Sequence, residues 1–216
     1  MQSVHYCTVK IKYIHFTGLR LPFYKTILCL SMNEKKNKRI SKDEWLACAL
    51  RALGDGGIEA VRVDKLARQL GVARSGFYWH FKDRQELLTD MLEYWAHEYT
   101  EVVTENKALT EGSAIQRLEN VMRTVRDYEL NRFEAAIFVW SQSDTAARET
   151  FDRAFKMRLD FFGNIFAELG FKDDEIEMRA QLLIGYLAWE YTNFCPQSKT
   201  KQNRLLNLRL RLLTEK

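Results

Sequence analysis

Apolar residues recur every three or four positions along most of the chain beyond residue 40, which is the spacing of one buried face of an α-helix. The first such run follows Ser41 and Glu44, an S-x-x-E capping box that marks a helix start, and ends at a glycine-rich turn. Its apolar positions are Trp45, Leu46, Ala49, Leu50 and Leu53. We therefore predict an amphipathic helix over this stretch.

The same reading predicts eight further helices, with approximate ranges 64–70, 74–80, 83–105, 113–127, 133–140, 145–169, 174–194 and 203–213. Residues that break helices are scarce, since the 216 residues include only two prolines and ten glycines. We predict an all-α fold in which the long helix 83–105 joins a small N-terminal unit to a larger helical domain.

Charge is distributed unevenly along this helical pattern. Lysine and arginine exceed the acids by four in residues 1–31 and by three in residues 32–90, whereas the acids lead by three in residues 91–216. A basic N-terminal part and an acidic C-terminal part suit a DNA-binding domain attached to a domain that does not contact DNA.

The stretch GVARSGFYWHFKDRQELL, residues 71–88, places five ring-bearing side chains in succession from Phe77 to Phe81. No helix or strand can bury all five, so some of them must face outward. Two short helices joined by a turn at Gly71 have the geometry of a helix-turn-helix, whose second helix enters the DNA major groove. The predicted shared core is Leu66, Ala67, Leu70, Val72, Phe77 and Phe81. The outward rings are then predicted to meet DNA.

The segment LARQLGVARSGFYWHFKDRQELL, residues 66–88, closely resembles the DNA-binding domain of the TetR family of transcriptional regulators, and the resemblance extends over about residues 40–92. It implies a three-helix helix-turn-helix DNA-binding domain in residues 32–92. A long helix would join this domain to a helical effector-binding and dimerisation domain in residues 93–216. Residues 1–31 lack helical period and acids, and we expect a non-native extension ahead of a start at Met32, or else a poorly ordered arm.

The resemblance also assigns DNA contacts by position. Phosphates would be contacted by Tyr78, His80, Lys82 and Arg84, with Arg62 near a phosphate, and base edges would be approached by Arg74, Ser75, Gly76 and Trp79. The chain departs from the family pattern at Arg62 and Val63, where a Thr or Ser near phosphate is common. Two further departures are Ala73, where a capping Ser or Thr is usual, and Gly76, which replaces a usual Ser or Thr. Packing of Tyr78 and Trp79 against the next helix is the alternative.

Helices 145–169 and 174–194 are apolar on more than one side, so each must bury two faces, one of which suits a partner. The resemblance implies a homodimer held by a four-helix bundle, and we assign its interface to Phe151, Phe155, Phe162, Leu183 and Leu187. The second helix carries Leu182, Tyr186 and Trp189 on an adjoining face. The alternative is that both helices are wholly internal.

Aromatic residues are dense in the remaining helices, and the resemblance implies a pocket there for a small effector. Its candidate lining is Trp95, Tyr99, Tyr128, Phe133, Phe138 and Trp140. Because few ionisable groups lie among these residues, we expect an uncharged or weakly charged effector. Plain core packing of the same rings is the alternative.

Other chemistry is not supported by the sequence. No nucleophile–base pair, P-loop, G-x-G-x-x-G or metal-ligand cluster is present, which argues against an enzyme, a metal site and a bound cofactor. The four cysteines have no metal-ligand spacing and are expected to be thiols in a reducing cytoplasm. No apolar run reaches the roughly 18 residues needed to cross a membrane.

The prediction is thus a cytoplasmic, homodimeric repressor that binds a near-palindromic double-stranded DNA operator and is released by a small-molecule effector. The alternative is a DNA-anchored interaction protein whose helical domain binds another protein.

Overall fold

A computed structural model describes residues 40–193 and 198–215 of the chain. The prediction on residues 1–31 lies outside the described residues. All regular elements in the described ranges are helical, which confirms the all-α prediction.

The N-terminal domain is built from short elements around a buried aromatic pair. Its elements are helix α1 (Lys42–Gly56), a 3-10 turn (Ile58–Ala60), helix α2 (Val63–Leu70), the 3-10 helix Arg74–Trp79, termed the recognition segment, and helix α3 (Arg84–Ala96). The predicted capping box is present, because the Ser41 hydroxyl accepts from the Glu44 backbone N–H and the Glu44 carboxylate accepts from the Ser41 N–H.

The larger domain continues directly from α3. It comprises a π turn (His97–Glu101) and helices α4 (Val102–Glu105), α5 (Lys107–Thr110), α6 (Ala114–Asp127), α7 (Glu134–Ser141), α8 (Thr145–Glu168), α9 (Asp174–Asn193) and α10 (Lys199–Thr214). Helix α8 is central, since it packs against α3, α6, α7 and α9.

Three elements differ from the sequence prediction. The third helix is a 3-10 helix, because it is only six residues long and Ala73 supplies no side-chain cap. The long fourth helix is interrupted by the π turn at His97–Glu101. The last helix begins at Lys199 rather than near residue 203, because the Ser198 hydroxyl caps it by accepting from the Lys201 N–H.

The two domains share one continuous apolar core. In the N-terminal domain Trp45 meets Phe77 edge-on at 5.5 Å between ring centroids, and Phe77 stacks on Phe81 at 5.0 Å. The join between the domains depends on Gly54 of α1, where a Cβ atom would lie 3.0 Å from the ring of Phe133. The absence of a side chain at residue 54 therefore allows α1 to approach the start of α7 closely.

The turn of the helix-turn-helix depends on Gly71, which ends α2 in the left-handed conformation with φ 69° and ψ 28°. We expect Gly71→Ala to lower the free energy of unfolding by about 1–2 kcal/mol, because a Cβ atom disfavours this conformation. Gly76→Ala is the matched control, since that position has an ordinary φ and no neighbouring atom within 4 Å of an added Cβ. It is expected to raise the free energy of unfolding by about 0.4–1 kcal/mol.

Denaturant unfolding of the two variants measures this pair. Equal effects of the two substitutions would contradict the assignment of strain to residue 71.

Candidate functional site

The recognition segment turns its aromatic side chains in two directions. Phe77 and Phe81 are buried in the N-terminal core, whereas Tyr78 is 54% and Trp79 is 76% exposed. This arrangement answers the question raised by five successive rings, because the core accepts two of them and leaves two large aromatic side chains at the surface. It does not support the alternative in which Tyr78 and Trp79 pack on the following helix.

Positive charge lies beside these exposed rings. Arg74 is exposed and donates from Nη2 to the Tyr78 hydroxyl at 3.2 Å, so both side chains occupy one face of the segment. Ser75 is also exposed, and Gly76 leaves open space where a side chain would stand. Lys82 follows the segment with an exposed side chain, while its backbone N–H donates to the Glu86 carboxylate at 2.6 Å.

Two of the predicted phosphate ligands have internal roles. The Arg84 guanidinium is half-buried and donates from Nε to the Val61 carbonyl at 2.8 Å and from Nη2 to the Ile58 carbonyl at 2.9 Å. His80 Nε2 lies 2.8 Å from the Ile40 carbonyl, so it donates there as an N–H. Arg84 thereby fixes the turn between α1 and α2, and His80 ties the recognition segment to the start of α1.

Arg62 lies just before α2 with its side chain exposed. Its Nε donates to the Asp64 carboxylate at 3.3 Å, an ion pair in which both side chains remain largely open to solvent. Such pairs contribute little to stability. Arg62 is therefore available to a phosphate, although it shares its charge with Asp64.

A cavity of about 50 Å³ lies in the larger domain, enclosed by the π turn and helices α4, α6, α7, α8 and α9. Its apolar wall includes Val103, Val121, Val125, Leu130, Ile184 and Leu187. Of the six aromatic residues predicted to line a pocket, Tyr99 alone does so, and burial raises the pKa of its hydroxyl.

The other five predicted pocket residues lie around the cavity rather than in its wall. Trp95 stacks on Phe151 at 6.2 Å, Phe133 meets Tyr99 edge-on at 5.6 Å, and Phe138 packs against Phe151 and Trp189. Trp140 is buried, and Tyr128 is half-buried at the end of α6. These five rings are absent from the cavity wall, whose apolar part combines aliphatic side chains with Phe161 and Phe162.

One wall of the cavity carries an ion pair that the sequence interpretation missed. Arg158 of α8 donates from Nη1 to Glu134 Oε1 at 2.6 Å, and from Nε and Nη2 to the Thr100 hydroxyl at 3.1 and 2.8 Å. The side chains are 15% and 4% exposed for Arg158 and Glu134. The cavity wall therefore carries charged groups, whereas few ionisable groups lie among the six residues predicted to line a pocket. The available signal was Arg158 itself, an arginine within the apolar seam of α8.

The predicted dimer residues are placed differently from the expectation. Phe162, Leu183 and Leu187 are buried within the chain's own core, while Phe151 and Phe155 are half-buried. The adjoining face of α9 is the exposed one: Met178, Leu182 and Trp189, here termed the α9 stripe, are 54%, 58% and 38% exposed.

No described group of three His, Cys, Asp or Glu side chains is arranged to hold a metal ion, and no described helix is long and apolar enough to cross a membrane. Cys48 is a buried free thiol that donates to Gln69 at 3.3 Å, and burial raises the pKa of this thiol. The other three cysteines lie outside the described residues.

These features define a helix-turn-helix protein with a helical, cavity-bearing second domain. Residues 46–91 match the family model described as bacterial regulatory proteins, tetR family. The chain is 25% identical over 93 residues to the HTH-type transcriptional regulator AcrR of Shigella flexneri, which is 43% of each protein. It is 34% identical over 55 residues to the tetracycline repressor protein class C of Escherichia coli, 26% of this chain and 25% of that protein.

The likeness to solved structures extends to the second domain. The structure of AibR in complex with isovaleryl coenzyme A and operator DNA aligns with a TM-score of 0.61 at 17% identity, over 80% of this chain and 97% of that one. The sequence matches reach less than half of the length of the two curated relatives. Residues 46–91 therefore match the helix-turn-helix domain of the TetR family of bacterial regulatory proteins, and the second domain is similar to that of AibR in fold.

Arg84 and Lys82 were both predicted to contact phosphates, but of these two only Arg84 makes side-chain hydrogen bonds to internal carbonyls among the described residues. We expect Arg84→Ala to lower the free energy of unfolding by about 1.5–3 kcal/mol, because it leaves two carbonyls without their charged donor. Lys82→Ala should change it by no more than about 0.5 kcal/mol, since the exposed side chain holds nothing together. Thermal and denaturant unfolding of both variants provide the comparison, and equal stability of the two would contradict the internal role of Arg84.

Proposed function

We propose that the chain is a transcriptional repressor that binds a near-palindromic operator as a homodimer and is released by a small molecule. The observation that carries this proposal is the surface formed by Arg74, Tyr78, Trp79 and Lys82 on the helix-turn-helix, where exposed aromatic rings alternate with free positive charge. Such a surface suits DNA, since the charges meet phosphates and the rings meet sugars and thymine methyl groups.

Base readout is proposed for Arg74, Ser75, Gly76 and Trp79, and phosphate contact for Tyr78, Lys82 and Arg62. His80 and Arg84 support this surface from behind, by holding the recognition segment and the turn before α2. Both side chains bind internal carbonyls, so a phosphate contact would fall to their other nitrogen atoms, such as Nη1 of Arg84.

A second copy is proposed to cover the α9 stripe. Three large apolar side chains at positions 178, 182 and 189 lie on one side of α9, and Gly185 between them is exposed without a side chain. This face suits close packing of a symmetry-related helix, because a twofold interface presents the same patch on both subunits. A dimer also supplies two recognition segments for two related half-sites.

The regulatory step is proposed to begin in the cavity. The cavity is mostly apolar with a few converging polar groups, as ligand sites are. Its presence supports a small-molecule effector over a protein partner. AibR, which shares this fold, was solved with both isovaleryl coenzyme A and operator DNA, so one such architecture accommodates a ligand and an operator together.

Selection of bound sequences from random duplex DNA by the purified protein tests the proposal first. We expect two related half-sites whose centres lie about one helical turn apart or a multiple of it. Lys82→Ala should weaken binding to all duplexes alike and reduce the slope of log K against log salt by about 1.

Arg74→Ala should instead change the preferred base at one position of each half-site. Lys201→Ala, an exposed lysine on α10, is the matched control and should leave operator binding unchanged. Selection of no consensus, or an equal effect of Lys82→Ala and Lys201→Ala, would refute DNA binding by this surface.

Adjacent leucines on α9 test the dimer. Leu182 is 58% exposed and Leu183 is fully buried, so the two residues belong to different faces of one helix. Leu182→Glu should yield a folded monomer in sedimentation experiments, because it charges only the intersubunit face. Leu183→Glu should unfold or aggregate, since it places an unpaired charge in the core. A parent protein that sediments as a monomer would overturn the proposed assembly.

A further inference from the structure

We propose that the effector site in this cavity takes a small apolar monocarboxylate, which displaces Thr100 from Arg158. The inference rests on the proposed function for its regulatory meaning, but the binding chemistry stands on the cavity alone. The binding chemistry follows from the hydrogen bonds that the Arg158 guanidinium makes.

The guanidinium presents two donor edges to its surroundings. Nη1 donates to Glu134, while the edge formed by Nε and Nη2 donates both of its N–H groups to one oxygen, the hydroxyl of Thr100. That edge is the one whose two parallel N–H groups match the two oxygens of a carboxylate. A single neutral hydroxyl oxygen therefore occupies a position that suits a bidentate anion better.

The charge arrangement favours an anion over a cation as the ligand. A carboxylate on the Nε–Nη2 edge leaves the Arg158–Glu134 ion pair intact, and the guanidinium separates the two negative groups. An ammonium group would have to take Glu134 from Arg158, which would leave the guanidinium in the cavity wall without its counter-charge. An amide places only one acceptor oxygen on the edge and lacks the charge that strengthens both hydrogen bonds.

The rest of the cavity fits a short hydrocarbon chain. Beyond the polar wall it is lined by aliphatic side chains such as Val121, Val125 and Ile184. A volume of about 50 Å³ corresponds to about three to five water-sized positions at 10–15 Å³ each. A short monocarboxylate therefore suits it, with the carboxylate at Arg158 and the few chain carbons against the aliphatic wall.

Binding at this edge bears directly on the helix that leads to the recognition segment. Thr100 lies in the π turn that continues α3, and the Arg158 guanidinium also lies 5.5 Å from the ring of Trp95 on α3. Irregular π turns in helices are frequent at functional sites. A carboxylate that replaces the Thr100 hydroxyl removes this link between the π turn and α8 and so alters the position of α3, which begins five residues after the recognition segment ends.

Titration calorimetry of the full chain with butanoate, pentanoate and hexanoate, and with butanamide and butylamine, tests the ligand class. We expect a carboxylate to bind at least about tenfold more tightly than butanamide, which is the range of hydrogen bonds to charged groups. Butylamine should give no binding heat. Equal affinity for acid and amide, preference for the amine, or no binding of any of the three acids at millimolar concentration would each overturn the proposal.

Two threonines provide a matched pair of variants. Thr100→Val removes the hydroxyl that competes for Arg158 and should raise carboxylate affinity by about two- to tenfold. Thr110→Val is the control, because that half-buried hydroxyl donates to the backbone carbonyl of Asn106 and does not line the cavity. It should leave the affinity unchanged. Weaker binding by Thr100→Val, or equal shifts in both variants, would contradict displacement of Thr100.

Arg158→Lys keeps the charge but removes the two parallel N–H groups of the guanidinium, so carboxylate affinity should fall by about tenfold or more. Circular dichroism of this variant checks that it folds, and the threonine pair decides the question if it does not. A separate measurement of operator binding distinguishes a failure of this inference from a failure of the proposed function. A protein that binds the acids but no DNA refutes the proposed function and leaves this inference standing, whereas a DNA-binding protein that ignores the acids refutes this inference alone.

Discussion

The arrangement of the larger domain depends on how one guanidinium is satisfied. Arg158 comes from the central helix α8, and its partners come from the start of α7 and from the π turn beyond α3. Removing one partner from a buried ion pair costs about 3–5 kcal/mol, so α7 and α8 are held together as long as both charges remain. The contact to Thr100 is weaker, because it joins a charge to a neutral hydroxyl. The site therefore combines a firm link, the Arg158–Glu134 ion pair, with an exchangeable link, the hydrogen bonds from Arg158 to Thr100.

Both links lead toward the helix-turn-helix. The exchangeable link reaches it through the π turn and α3, whose first residue follows the recognition segment by five positions. The firm link reaches it through Glu134, because the adjacent Phe133 packs its ring against Gly54 of α1. A ligand that alters one link and leaves the other unchanged would move α3 relative to α1. Coupling between cavity and DNA surface then amounts to a preference of the ligand for one of two helix arrangements.

The helices and the exposed aromatic pair of the recognition segment were accessible from sequence because both depend on local patterns. The caps at Ser41 and Ser113 and the apolar spacing located most helix boundaries within one or two residues. The consecutive rings at positions 77–81 required an outward-facing pair, and Tyr78 and Trp79 are that pair. The roles of Arg84 and His80 were missed, since both depend on carbonyl groups about 20 to 40 residues away.

The cavity and the exposed face of α9 were harder to predict for a physical reason. Periodicity shows which residues share a face but not whether that face meets the chain's own core, so Leu183 and Leu187 were assigned to the surface that Leu182 occupies. A cavity forms where side chains fail to fill space, and aromatic density indicates the opposite. The π turn at His97–Glu101 depends on tertiary contacts of the same kind.

We propose that the Thr100–Arg158 contact sets the separation of the two recognition segments in a dimer. Electron spin resonance measures this separation directly, with a label at Ser75→Cys in protein whose four native cysteines have been replaced by serine. For the protein with Thr100 we expect a narrow distribution of label–label distances compatible with successive major grooves, about 34–36 Å apart. When Thr100→Val is added, we expect the mean distance to shift. Identical distributions for the two proteins would contradict it.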